Sequence, residues 1–111
     1  MIFVAETEDR SLRIFSDEKS AVSACEGLDV EAAVWLFWSS DGSPLQPVFI
    51  TPNKRGLFSV HNGTYRLEPA DDLHHANLVE ALDEIRYLVP SPFFESLAAV
   101  RAHLLEGVGR T

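Results

Sequence analysis

Between residues 33 and 67 the chain carries four short apolar runs, each separated from the next by turn-forming residues. Short runs of this kind, bounded by Gly, Pro, Asn and Asp, are typical of β-strands joined by turns. Because short connections join neighbouring antiparallel strands, this stretch predicts an antiparallel meander on which helices pack. The four runs are Ala33–Trp38, Leu45–Thr51, Leu57–Val60 and Thr64–Leu67.

The first of these runs is apolar at every position from Val34 to Trp38. A strand without polar alternation suits the centre of a sheet that is covered on both faces. Since successive side chains point to opposite faces, Trp35 and Phe37 should face one side, and Leu36 and Trp38 the other. The sequence therefore predicts a central strand that is covered on both faces.

Two further signals concern the later strands. Pro44 and Pro47 lack backbone N–H donors, which predicts that the beginning of the second strand is an edge or an irregular segment. Asn62-Gly63 is the preferred pair for a type I′ turn, so residues 58–61 and 64–67 are predicted to form a hairpin.

The rest of the chain predicts an opening hairpin and three helices. Ser16 precedes two acids and is the expected N-cap of the first helix. Pro90 and Pro92 should end the second helix, and Gly107 and Gly109 should end the third. The fold class is therefore α+β, a meander with one N-terminal and two C-terminal helices, in one domain spanning residues 1–111. The predicted elements are strands Ile2–Thr7 and Leu12–Phe15 and helices Asp17–Glu26, Asp72–Val89 and Pro92–Glu106.

Composition narrows the location and the class of protein. The 111 residues are 46% hydrophobic, and no apolar run approaches the roughly 20 residues that span a bilayer. The segment Met1–Glu6 lacks the basic region of a signal peptide, and the single cysteine, Cys25, cannot form an internal disulfide. We therefore expect a cytoplasmic protein with no membrane association.

Net charge bears on the partner. Seventeen acidic residues against nine Lys and Arg give a formal net charge of −8. A chain with this field is repelled by phosphate backbones, which argues against direct nucleic-acid binding and favours a basic protein partner. The alternative is that the charge serves only solubility.

Three groups of residues are candidates for a chemical site. His74-His75 are adjacent, and on a helix they diverge by about 100° instead of converging on a metal. Cys25 is predicted on the apolar face of a helix near its C-terminus, where a thiol is not activated. Asn53-Lys54-Arg55-Gly56 is a basic cluster that could hold an anion, although a solvated turn explains it as well. The sequence contains no catalytic, cofactor or metal motif, so we predict a protein that is not an enzyme and needs no cofactor.

The best candidate for a functional surface is acidic. Residues 71–89 contain five acids and one base, a local net charge of −4. At helical spacing several of these acids share a face with an aromatic residue, which could anchor a partner while the carboxylates pair with Lys or Arg. A solvated helix face is the alternative. The predicted partner-binding residues are Asp71, Asp72, Glu80, Asp83, Glu84 and Tyr87.

Three segments of the chain carry a resemblance to a known family: Gly27–Ala32, Trp35–Trp38 with Ser39–Gly42, and Thr51–Val60. On these residues the chain resembles the small immunity proteins of bacterial toxin and immunity pairs, especially those of contact-dependent growth inhibition systems. The resemblance extends from Met1 to about Val89. It implies a non-enzymatic cytoplasmic protein that binds a cognate toxin domain, often a nuclease, in a one-to-one complex and neutralises it. No individual binding residue is carried over from the family.

Two other classes of protein remain open from the sequence. One is a small enzyme or ligand-binding domain with a pocket on the meander, in which His61 and a carboxylate would act. The other is a structural or secretion-adaptor module, which should expose a large apolar patch and self-associate.

Overall fold

A computed structural model of the protein describes residues 1–31, 33–55, 60–70 and 75–109. The α+β class is confirmed. In chain order the elements are β1 (Ile2–Glu6), β2 (Ser11–Phe15), α1 (Glu18–Ala24), α2 (Gly27–Glu31), β3 (Trp35–Trp38), β4 (Pro44–Phe49), β5 (Lys54–Arg55), β6 (Val60–His61), β7 (Tyr65–Pro69), α3 (Leu78–Ala81), a 3₁₀ turn (Leu82–Glu84), β8 (Tyr87–Leu88) and α4 (Leu97–Gly109).

Six strands form one mixed sheet in the order β7-β4-β3-β1-β2-β8. The predicted opening hairpin is confirmed, because β1 and β2 pair antiparallel from Ile2↔Phe15 to Glu6↔Ser11. β3 lies between β1 and β4, as expected for the all-apolar run. The last strand, β8, is parallel to β2, so the sheet is mixed and not purely antiparallel.

Helices cover both faces of this sheet, and the predicted division of β3 is confirmed. Leu36 and Trp38 belong to the core under α3 and α4, whereas Trp35 and Phe37 belong to the core under α1 and α2. Each core is closed by buried residues from the sheet and from the covering helices. On the first face these include Phe3, Leu12, Leu78, Leu82, Val100 and Leu104, and on the second Val4, Ala21, Cys25, Val30 and Tyr65.

The predicted long helix over residues 72–89 is wrong. Residues 75–77 are not helical, the α-helix is limited to Leu78–Ala81, and after a 3₁₀ turn the backbone becomes extended at Ile85. The N–H groups of Arg86 and Val89 then donate to the carbonyls of Arg10 and Leu12 at 2.8 and 2.9 Å. The physical reason is that β2 would otherwise leave its outer polar groups unpaired, and this segment satisfies them.

The predicted hairpin at Asn62-Gly63 is also wrong. β6 pairs with β5 in a separate two-stranded sheet, and β7 pairs with β4. Gly63 does not have the positive φ that a type I′ turn requires. Its lack of a Cβ instead permits close packing, because a Cβ there would collide with the backbone of Thr51 and Pro52.

β4 is an interior strand, which corrects the prediction made from Pro44 and Pro47. Pro44 is the first residue of the strand, a position where a missing donor is tolerated. Pro47 is opposite Leu67 of β7, but the Leu67 N–H points outward and donates to Oε1 of Glu18 at 2.7 Å. The missing donor of Pro47 therefore faces β3, where the ladder contains only Phe37↔Leu45 and Trp38↔Pro44.

Two smaller predictions need adjustment. The cap of α1 is Asp17 and not Ser16, because Oδ1 of Asp17 accepts the Ser20 N–H at 2.7 Å. The final helix begins at Leu97, five residues later than expected. Helical periodicity in this segment predicts Phe93 or Phe94, Leu97, Val100 and Leu104 as inward residues. Phe94, just before the helix, and Leu97, Val100 and Leu104 do pack in the core.

Candidate partner-binding surface

The predicted acidic surface is divided among different sites, because the segment that carries it is not a single helix. Glu80 and Glu84 line a cleft beside α3. The carboxylate of Asp83 points elsewhere and pairs with Arg101 of α4 at 3.1 Å. Tyr87 lies on β8. Asp71 and Asp72 lie outside the described residues.

Tyr87 is held by an acid that the sequence prediction did not include. Its hydroxyl donates to Oδ2 of Asp9 at 2.9 Å, and Oδ1 of Asp9 accepts the N–H and the Oγ–H of Ser11 at 3.0 and 2.6 Å. Ser11 is fully buried, whereas Tyr87 is 47% exposed. The exposed Tyr87 ring is therefore held in place, through Asp9, by the buried residue Ser11.

Glu6 and Arg13 continue this network on the same face of the sheet. The Glu6 carboxylate pairs with Arg13 at 3.3 Å, and the Arg13 guanidinium lies 5.3 Å from the centre of the Trp35 ring. Hydrogen bonds from Ser11 and Tyr87 lower the pKa of Asp9. Partial burial raises the pKa of Glu6, and the nearby charge of Asp9 raises it further against the opposing effect of Arg13. Asp9 is thus the more firmly ionised of the two carboxyl groups.

A cleft of about 420 Å³ lies on the opposite face of the sheet, at the end of the β1–β2 hairpin where the turn is. Its apolar walls come from β1, β3 and residues 76–85, which include α3. Its mouth carries charged residues from the β1–β2 turn and from residues 80–84. Thr7 and Glu6 lie at the end of β1 beside the mouth. The apolar lining residues are Ala5, Leu36, Trp38, Ala76, Ala81 and Ile85, and the charged ones at the mouth are Arg10, Glu80 and Glu84.

In the basic cluster at residues 53–56, the described residues 53–55 have structural roles. The Asn53 side chain donates from Nδ2 to the Gly27 carbonyl at 3.0 Å and accepts the Gly63 N–H on Oδ1 at 2.6 Å. Lys54 and Arg55 form the short strand β5, and Gly56 lies outside the described residues. Asn53 thereby connects the start of α2 to the segment before β7, which leaves less of this cluster available to hold an anion.

The candidate nucleophile Cys25 is buried, as predicted, with 1% of its surface exposed. Burial raises the pKa of its thiol to about 12, so it stays protonated near neutral pH. Burial likewise raises the pKa of Tyr65, whose hydroxyl donates to the Cys25 carbonyl at 2.7 Å. These groups act in packing.

His75 and His103 are packing residues. The His75 ring meets the Trp38 ring edge to face with centres 5.0 Å apart, and His103 packs against Phe3 and Phe94. His61 pairs through its backbone with Lys54, and His74 lies outside the described residues. Within the parts of the chain that the structure describes, no three His, Cys, Asp or Glu residues come together as a metal site.

Asp9, Ser11 and Arg10 were missed as site residues because the sequence shows them only as a polar turn. A usable signal existed in residues 85–89, where Ile85, Tyr87 and Val89 have the β-branched or aromatic side chains that strands favour. This pattern indicates a strand that carries Tyr87, but it does not indicate that β2 is the strand with which it pairs.

Comparisons with known proteins give no relative. No family model matches the chain, and neither the curated proteins nor the solved structures contain a significant match. Among the described residues, none of the helices is both long enough and apolar enough to cross a bilayer.

Proposed function

We propose that this protein is an immunity protein that binds and neutralises a cognate basic toxin domain, a nuclease, in a one-to-one complex in the bacterial cytoplasm. The observation that carries the proposal is the half-exposed Tyr87 ring, which Asp9 fixes on one face of the sheet at the end of the β1–β2 hairpin. Glu80 and Glu84 lie at the cleft on the opposite face of the same end. An aromatic residue immobilised before binding loses little entropy on association, which is the property of an interface anchor.

Charge supports the same proposal. A nuclease domain must be basic to hold phosphates, so an inhibitor with a net charge of −8 attracts it over a distance and accelerates encounter. The aromatic anchor then acts mainly by slowing dissociation. Together the two effects produce a fast and long-lived complex, which a cell needs when the toxin is already present.

The proposed surface revises the one predicted from sequence. It extends around the end of the β1–β2 hairpin, with Tyr87 and the added Asp9 on one face and Glu80 and Glu84 at the cleft on the other. It omits Asp83, whose carboxylate is paired with Arg101. Asp71 and Asp72 remain predicted contacts that no described geometry supports or opposes.

A growth-rescue assay tests the proposal. The proteins encoded by the genes that flank this one are each expressed in a bacterium with and without the protein, and survival is measured. We expect wild-type protein to restore growth, and Tyr87→Ala and Glu84→Lys to reduce the rescue. Asp83→Lys is the matched control, since it makes the same charge change on the same segment but away from the proposed surface. A toxic neighbouring domain that wild-type protein fails to neutralise would contradict the proposal.

The cleft favours a second function, a small ligand-binding domain. The residues that line it come from β1, β3, the β1–β2 turn and residues 76–85. A ligand-binding function would therefore use these residues, and the charge preference of the cleft separates it from partner docking.

A further inference from the structure

The cleft has an apolar interior whose polar atoms are already satisfied. The Trp38 indole N–H donates to the Ala76 carbonyl at 2.8 Å, and the Thr7 hydroxyl donates to the Ala33 carbonyl at 3.1 Å. The walls are formed by partly exposed side chains of the core, including Leu36, Ala81 and Ile85. An occupant therefore meets hydrocarbon inside the cleft and gains little from carrying polar atoms there.

The mouth of the cleft selects for positive charge. Glu80 and Glu84 lie one helical turn apart, and within the described residues neither carboxylate forms an ion pair or a hydrogen bond. Arg10 is the one basic residue among the lining residues. The Glu6 carboxylate turns to the other face and pairs with Arg13, so it adds no charge to the mouth. A cation placed between Glu80 and Glu84 would relieve their mutual repulsion.

We propose that this cleft is the docking site for a basic segment of the toxin domain, which inserts one apolar side chain beside Trp38. A neighbouring Lys or Arg of that segment pairs with Glu80 and Glu84. The inference rests on the proposed function and specifies where and how the partner binds. The volume of about 420 Å³ accommodates one large side chain and lies at the low end of the roughly 300–1,000 Å³ found for binding pockets.

A nuclear magnetic resonance titration tests the chemistry of the cleft without the toxin. Three probes share a phenyl ring and differ in charge: 2-phenylethylguanidinium, 3-phenylpropionate and phenylalanine. We expect the guanidinium probe to bind, to shift the amide signals of Leu36, Ala81 and Ile85, and to bind more tightly than the other two. Equal affinity for the anion, or no binding by any probe, would overturn the proposal. Tighter binding of phenylalanine would also overturn it and would assign the cleft to a zwitterionic small ligand.

Variants connect the result to the named residues. Glu80→Gln with Glu84→Gln should weaken guanidinium binding by about five- to tenfold, the amount that two exposed ion pairs contribute. Asp83→Asn is the matched control and should change affinity by less than about twofold, because its pair with Arg101 lies outside the cleft. An equal effect of the control and the double variant would overturn the assignment. The Gln variants alter exposed positions, so loss of folding does not obscure the result.

Growth rescue then separates this inference from the function on which it rests. Ala81→Phe fills the cleft, and thermal unfolding verifies that the variant is folded. If wild-type protein rescues growth and both Ala81→Phe and the Gln double variant rescue it equally well, the docking site is wrong and the immunity function stands. If wild-type protein gives no rescue, the immunity function is wrong. A toxin domain is then ruled out as the partner that docks in the cleft, whatever the probe titration shows.

Discussion

The hydroxyl of Tyr87 donates a 2.9 Å hydrogen bond to Oδ2 of Asp9, a residue 78 positions earlier in the chain. The contact exists because β8 lies parallel to β2 with Tyr87 opposite Ser11, whose own N–H and hydroxyl hold the other oxygen of Asp9. A turn and an edge strand, remote in sequence, thereby form one surface.

This pair makes a prediction about the ionisation of Tyr87. The Tyr87 hydroxyl can donate to the Asp9 carboxylate only while it is protonated, and the ionised form would also be repelled by that carboxylate, so the contact raises the pKa of Tyr87. Asp9→Asn should lower that pKa toward its ordinary value of about 10. Ultraviolet titration of tyrosinate measures it, and Tyr65 is the internal control, because its raised pKa is caused by burial. An unchanged Tyr87 pKa would contradict the hydrogen bond.

The same network predicts how stability depends on pH. The folded-state pKa of Asp9 lies below its unfolded value of about 3.9, so its contribution is present above that pH and is lost as the pH falls through the folded pKa. Asp9→Asn should therefore be less stable than wild type near neutral pH, and the difference should shrink in acid. Urea unfolding at a series of pH values measures the difference, and a gap that widens in acid would contradict the prediction.

Cys25 should be almost inert in the folded protein. With a pKa of about 12, its thiolate fraction near pH 8 is on the order of a thousandfold below that of a free cysteine. Alkylation by iodoacetamide should be slow in native buffer and rapid in denaturant, where the thiol is exposed. Alkylation at the rate of free cysteine in native buffer would place Cys25 at the surface.

Ala33→Gly should stabilise the protein by about 0.5–1 kcal/mol. Ala33 has a φ of +58°, and the bonds Ala33 N–H to Val30 carbonyl and Val34 N–H to Asp29 carbonyl form a Schellman motif at the end of α2. Glycine adopts this conformation without the Cβ strain. Ala102→Gly, an exposed position in α4, is the control and should instead destabilise by about 1 kcal/mol. Thermal unfolding compares the two variants, and destabilisation by Ala33→Gly would contradict the positive φ.

Both the donor and the acceptor of the Asn53 side-chain amide should contribute to stability. Asn53→Asp retains an acceptor for the Gly63 N–H but cannot donate to the Gly27 carbonyl, and Asn53→Ala loses both bonds. We expect Asn53→Ala to cost about 1–3 kcal/mol in the free energy of unfolding. Gln46→Ala, at an exposed position of β4, is the control and should change stability by less than about 0.5 kcal/mol. Equal effects of the two alanine variants in urea unfolding would show that the bridge contributes nothing.

Gly27 shows why this bridge could not be predicted. A Cβ on Gly27 would come within 2.5 Å of Oδ1 of Asn53 and within 2.9 Å of the Gly63 carbonyl oxygen. In the sequence these three residues have the composition of turns, and glycine suggests conformational freedom. Their actual role is close approach between segments that are distant in the chain, which no local pattern records.

The sequence by itself determined the opening hairpin, the division of β3 between two cores and the inward face of α4. These features follow from side-chain alternation in strands and from helical periodicity, both of which are local. Tertiary structure decided the rest. Residues 86–89 became extended because β2 had an unpaired edge, β7 paired with β4 and not with β6, and the predicted acidic face was divided. Each outcome depended on which distant backbone groups needed partners, and a sequence specifies that only through the completed fold.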